Sequence, residues 1–326
     1  MGHSIRIIAL VLLSALLAGI NTQALAQDNY PSKPVHLIVT GTSGTATYLV
    51  ARIYADKLSK ILGQTVIVEA RAGAGGSIAS QAVASAPADG YTLLFLNSSH
   101  SANPSLYAKL PYDTLRDFVG VALVTEQPYV ALVHPSLGVR TLKEFIALAK
   151  KAPGTINYVS NGVGSATHLS VAYFASLAGI DLTHVPYKDA SSVTMDFLSG
   201  RVQFAMVPVN YLLPQIKEGK VFALAVTSPE PMHYPLVLPS VREVANLDYA
   251  YSNWYGFVAA AKTPPAILNR LSRAIQEVSQ AEDTKTLYKT LGLDSRVLLL
   301  QDFDAFIKAD MDKTAALVKS IGLVAK

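Results

Sequence analysis

The sequence predicts an α/β protein made of two successive α/β units, and three observations lead there. Apolar runs rich in Val and Ile alternate with helix-period patterns. That alternation starts again near Thr141. One loop pattern, V-[ST]-x-x-x-G-[ST]-A-T, occurs once in each half, at Val39–Thr47 and at Val159–Thr167. Continuous apolar strands separated by helices imply a parallel sheet covered on both faces.

In chain order, residues 1–26 read as an export leader. His3 and Arg6 precede the apolar run Ile7–Ile20, and Ala24-Leu25-Ala26 places small residues at the cleavage positions. The run is shorter than the roughly 20 residues a membrane span needs, so cleavage after Ala26 is expected. No later segment is apolar enough to span. VHLIV (Val35–Val39), a helix carrying Leu49, Ile53, Leu58 and Ile61 and stopped by Gly63, and TVIVE (Thr65–Glu69) then make a βαβ unit. TLLFL (Thr92–Leu96) is another strand. Asn103–Asp113 reads as turns, and VGVALV (Val119–Val124) and YVALVH (Tyr129–His134) read as two strands split by TEQP.

The second unit repeats the scheme: a helix from Thr141 to Lys151, strand Ile156–Ser160, a helix over Ser165–Ala178, and a strand near Leu182–Val185. Helix Ala190–Leu198 follows, then strands Gln203–Val207 and Val221–Thr227. After the Pro-rich stretch Pro229–Pro239 come strand Ser252–Ala260 and three helical patterns from Pro264 onward. The expected division is domain 1 over residues 27–126 and 251–326 and domain 2 over residues 127–250. Crossovers are expected near Thr125–Tyr129 and Tyr251–Trp254.

The chain has 326 residues, no cysteine and a formal net charge of +4. Disulfides and thiolate chemistry are therefore excluded, and stability must come from the core. The pI near 9.0 does not point to nucleic acid, because the Lys and Arg are dispersed with no basic run interleaved with aromatics.

Both copies of the loop pattern follow a strand and open a helix. The first N–H groups of a helix lack intrahelical partners and carry partial positive charge, so they can hold a carboxylate or phosphate without Lys or Arg. Thr45, Thr47, Ser165 and Thr167 are candidate hydroxyl donors; the alternative is that these residues only cap their own helices. Arg71–Ser80 fails the dinucleotide pattern because Ile78 stands where the last Gly is needed. Ser43 and Ser165 are candidate nucleophiles and His100, His134, His168 and His184 candidate bases. Neither serine lies in a G-x-S-x-G elbow. His168 is expected to be a hydrogen bonder in the cleft wall and His184 structural. No metal or cofactor motif is present, so none is expected.

The ordered set YPSKPVHLIV, GAGGS, DGYTLLF, LPYDTLRDF, HVPYKDA and LAVTS resembles the Bug family, the substrate-binding receptors of tripartite tricarboxylate transporters, from Tyr30 nearly to the C-terminus. The resemblance implies a periplasmic, two-domain clamshell of the type II-like binding-protein class. It closes on a small carboxylate and delivers it to membrane transporter subunits or, in some members, to a sensor kinase. It also implies a monomer and no enzyme activity. The implied ligand-binding residues are Thr40, Gly41, Thr42, Ser43, Gly44, Thr45, Thr47 and Tyr48, then Gly75, Ser77, Asn97 and Ser98, and on the second domain Ser160, Asn161, Gly164, Ser165, Thr167, His168 and Val207. The family loop reads roughly V-P-F-x-x-G-G-x-x-D. Here Tyr48 stands at the Asp, and Val207 with Pro208 stands where many members carry another Asp. A buried ammonium needs such a partner, so an organic acid without an amine is expected, aromatic or dicarboxylic. The alternative of a different class is a secreted serine hydrolase using Ser165 and His168.

Overall fold

The computed structural model describes residues 30–187 and 190–323, so the expected leader lies outside the described residues. β1 (Val35–Val39), α1 (Ala46–Leu62) and β2 (Val66–Ala70) form the first βαβ unit, extended by α2 (Ser77–Ala84), β3 (Thr92–Asn97) and α3 (Ser99–Leu106). β4 (Phe118–Val133) leads to α4 (Leu142–Lys151), β5 (Asn157–Ser160), α5 (Ala166–Ala178), β6 (Thr183–Pro186), α6 (Ala190–Leu198) and β7 (Phe204–Pro208). Then follow α7 (Leu213–Lys217), β8 (Phe222–Val226), α8 (Val241–Ala245), β9 (Ser252–Ala260), α9 (Pro265–Gln280), α10 (Glu282–Leu291), β10 (Asp294–Leu299) and α11 (Leu300–Ser320).

Local signals set the helices that matter here. Thr45 caps α1 by accepting from the Tyr48 N–H, and Gly63 ends it in the left-handed region at φ 70°. Ser165 caps α5 by accepting from the His168 N–H, and Gly179 ends it at φ 61°.

In the first lobe β1 is parallel to β2 and β3, while β3–β9 and β9–β4 are antiparallel; in the second, β5 is parallel to β6 and β7, and β4 is antiparallel to β7 and β8. The sheet is thus mixed where a parallel one was expected. β4 is also one strand, not two. Phe118–Pro128 pairs with β9, and Tyr129–Val133 continues into β7 and β8, so the strand runs from one lobe into the other. Its polar residues suggested a turn, but they are satisfied inside the sheet. The Thr125 hydroxyl donates to Asp294 O at 2.6 Å, and the Gln127 side chain accepts from the Tyr255 hydroxyl at 2.5 Å. Pro128, which has no N–H to pair, falls where the pairing partner changes.

Two further elements were not legible. β10 adds antiparallel to β4 among what read as helices alone. α3 runs into residues read as turns, Asn103–Leu106, despite an internal Pro104, because its face bearing His100, Ala102 and Asn103 is buried.

The first lobe packs Leu37, Val50, Tyr54, Phe95, Phe257 and Leu271 between β-sheet and helices. The second buries Phe145, Phe174, Phe204 and Tyr249 on one face of its sheet and Leu132, Val159, Phe197 and Val226 on the other. Among the described residues no helix is long and apolar enough to cross a membrane.

Candidate ligand-binding cleft

The two copies of the loop pattern fold alike. In each, a Gly in the left-handed region precedes the cap, Gly44 at φ 88° and Gly164 at φ 79°. In each, the cap closes a turn on the residue three back: Thr45 N and Oγ1 donate to Thr42 O at 3.1 and 2.7 Å, and Ser165 N and Oγ donate to Gly162 O at 3.2 and 2.7 Å. Both helices then open onto one cavity of about 180 Å3 between the lobes. Gly41, Thr45, Ala46 and Thr47 line one wall, and Asn161, Ser165, Ala166, Thr167, Pro208 and Tyr211 line the other. The N–H groups of Ala46, Thr47, Ala166 and Thr167 belong to first turns and so have no intrahelical acceptor.

The crossing strands make the floor. Gln127 and Tyr129 come from β4, Asn253 and Tyr255 from β9. A hydrogen-bond chain ties them: Ser98 Oγ to Asn253 Oδ1 at 2.6 Å, Asn253 Nδ2 to the Tyr255 hydroxyl at 2.9 Å, and that hydroxyl to Gln127 Oε1. Burial pushes the Tyr129 and Tyr255 phenols well above their ordinary range, so both stay neutral. Among the described residues, every one that lines the cavity is uncharged at neutral pH. These residues can hold an anion through N–H dipoles and hydroxyls.

The loop hydroxyls do less than expected. The Thr45 and Ser165 protons are directed at Thr42 O and Gly162 O, so both residues act as caps. Thr47 Oγ1 accepts from Asn97 Nδ2 at 3.2 Å, which leaves its own proton for the cavity. Asn97 Oδ1 accepts the Ser99 N–H and Asn253 Oδ1 the Ser98 N–H, so the start of α3 does not offer those donors.

Seven of the expected contacts line the cavity: Gly41, Thr45, Thr47, Asn97, Asn161, Ser165 and Thr167. The others sit elsewhere for identifiable reasons. Thr42, Ser43 and Gly44 form the exposed tip of the turn, and Thr40 is half-buried beneath Gly76. Gly75 lies under Asn103, which donates to its carbonyl, and Ser77 is buried at the start of α2. Ser98 and Gly164 line a smaller neighbouring cavity of about 40 Å3. Ser160 is buried against His184. Tyr48 packs against the first-lobe core. Val207 is 1 % exposed in the second-lobe core, and strand alternation gives the cleft Pro208 instead. His168 lies behind the loop, not in the wall. Gln127, Tyr129, Tyr211, Asn253 and Tyr255 were missed. The available signal was a polar residue inside an otherwise apolar strand, Gln127 and Asn253.

The geometry does not arm Ser165 as a nucleophile. Its proton goes to Gly162 O, and the His168 ring accepts the Gly164 N–H at Nδ1, 3.0 Å away.

Residues 50–323 match the model of the tripartite tricarboxylate transporter family receptor. The chain belongs to that family. Protein BugT of Bordetella pertussis is 32 % identical to this receptor-family chain over 320 residues, covering 97 % of this chain and 98 % of BugT. Among solved structures, R. palustris Rpa4515 with adipate is similar at a TM-score of 0.83 and 28 % identity, covering 91 % of this chain and 100 % of that one. The periplasmic binding protein BugD is similar at a TM-score of 0.78, also at 28 % identity and with the same coverage. The family fold is the two-lobed periplasmic-binding-protein clamshell, and the family and its structural neighbours are binding proteins.

Proposed function

We propose that this receptor captures a small dicarboxylate in the cleft between its lobes and delivers it to the membrane subunits of a tripartite tricarboxylate-type transporter. One observation carries the ligand class: two helix N-termini, one from each lobe, open onto a single cavity whose described lining residues are uncharged. A dicarboxylate places one carboxylate at each helix start, bridging the lobes. Among the described lining residues no Asp or Glu offers an anionic partner for a ligand amine, and the three tyrosines suit a carbon chain between the ends. The adipate seen with Rpa4515 is a dicarboxylate.

In this reading residues 27–126 and 251–326 form one jaw and residues 127–250 the other, hinged where β4 and β9 cross. The protein works without catalysis, as a monomer in the periplasm, after removal of the leader at Ala26. The test is thermal unfolding of the mature protein with adipate and related dicarboxylates. A ligand at about 100 times its Kd stabilises the native state by about 2.7 kcal/mol, which raises the melting temperature visibly. No stabilisation by any mono- or dicarboxylate, together with ester turnover lost in Ser165→Ala, would overturn the proposal in favour of a hydrolase.

A further inference from the structure

Behind the second-lobe loop lie two stacked histidines that the binding reading leaves without a task. The His168 and His184 rings are 4.0 Å apart between centroids and 13° from parallel, with Tyr158 stacked on His184 at 4.9 Å. Each ring grips one end of the same loop. His184 Nε2 meets Ser160 Oγ at 2.6 Å, and that hydroxyl bonds to Gly162 N and O, both at 3.1 Å. At the other end, Gly164 N–H donates to His168 Nδ1. Gly164 is buried, and a Cβ there would come within 2.6 Å of Leu106, so the turn is fixed from both sides.

The first-lobe copy lacks this brace. Tyr48 occupies the position of His168 and packs into the core, and the tip Thr42–Gly44 is exposed. We propose that His168 is the positioning residue of the second-lobe loop: by accepting the Gly164 N–H it holds the Gly162–Ser165 turn in the shape that aims the Ala166 and Thr167 N–H groups into the cleft. This rests on the dicarboxylate reading of the cleft.

The brace requires an unprotonated Nδ1, since a proton there sets N–H against N–H. Burial, with the neighbouring His184 ring adding to it, lowers the His168 pKa to about 4, so the acceptor persists across the neutral range. The titratable groups stacked against the ring are His184 and Tyr158, and burial keeps the Tyr158 phenol neutral. From α11, Asp310 and Lys313 line the small cavity that Gly164 also lines. Among the described residues no carboxylate contributes to the His168 shift.

The test has a ligand-free arm and an adipate arm. In 15N-labelled wild type without ligand, the Gly164 amide and the His168 ring are followed from pH 7 to 3.5; they should titrate together with a midpoint near 4. His168→Phe keeps the stack but removes the acceptor, and should abolish the Gly164 step. His168→Asn presents a non-titrating oxygen near the place of Nδ1. In the second arm, calorimetry should show His168→Phe weakening adipate binding roughly tenfold at pH 7, the worth of one hydrogen bond, with His168→Asn restoring much of it. The ratio of variant to wild-type Kd should be roughly halved at the midpoint near pH 4 and approach one only well below it, because ligand ionisation is common to both proteins and cancels. Equal Kd values in wild type and His168→Phe at pH 7, or a Gly164 amide indifferent to the substitution, would overturn the proposal. A wild type that shows the Gly164 step but takes no adipate supports the brace and overturns the dicarboxylate reading instead.

Discussion

Ala46→Pro and Ala166→Pro should each weaken dicarboxylate binding by about tenfold to a hundredfold or more, and together by roughly the product, while leaving the fold intact. Both residues open their helices, and proline is favoured at that position because the N–H it lacks has no intrahelical partner. The residue before a proline must be extended. Thr45 at ψ 153° and Ser165 at ψ 158° already are. Each substitution therefore removes one donor aimed at the cleft and costs the backbone little. A hydrogen bond to a charged group contributes about 1.5–3 kcal/mol, which sets the expected range for each site. Calorimetry with adipate measures the loss, and thermal unfolding of the free protein checks that stability is kept. Unchanged affinity in the double variant would mean that the helix starts do not hold the anion.

Phe204→Ala should destabilise the free protein by about 3–5 kcal/mol, the usual cost of emptying a large aromatic site. Phe204 is fully buried on β7, stacked on Phe145 at 4.2 Å between ring centroids and set against Phe174 at 5.9 Å. The surrounding residues come from β-strand and two helices, which limits how far the site can collapse. Urea unfolding should show the midpoint falling with the slope unchanged. A loss under about 1 kcal/mol would mean that the second-lobe core repacks freely. Because β7 ends at Pro208 in the cleft wall, this variant should also bind adipate less tightly.

What the sequence made legible was what short-range chemistry decides. Thr45 and Ser165 follow a left-handed Gly and precede a helix, so their cap geometry is written locally, and the alignment of the two copies already pointed to paired helix starts. The floor was illegible for the opposite reason. Gln127 and Asn253 are far apart in the chain, and only the pairing of β4 with β9, which sets Gln127 opposite Asn253, brings them to one surface. Gln127 looked like part of a turn because an unpaired polar side chain belongs outside a sheet, and its partner, the Tyr255 hydroxyl, depends on the tertiary fold. Tyr48 and Val207 show the limit of position-by-position transfer from relatives. Both stand at positions that matter in the family pattern, yet one turns into the first-lobe core and the other points away from the cleft. An amine-free ligand is supported instead by the uncharged lining among the described residues.

The most direct measurement is calorimetric titration of the mature protein with adipate and with 2-aminoadipate, which differs only by an amine. With no acidic group among the described lining residues, the ammonium loses its water with no charged partner in return, an outcome that costs several kcal/mol. Adipate should bind saturably, and 2-aminoadipate at least about a hundredfold more weakly. Tighter binding of the amino acid would contradict the assignment of this cleft to dicarboxylates without an amine.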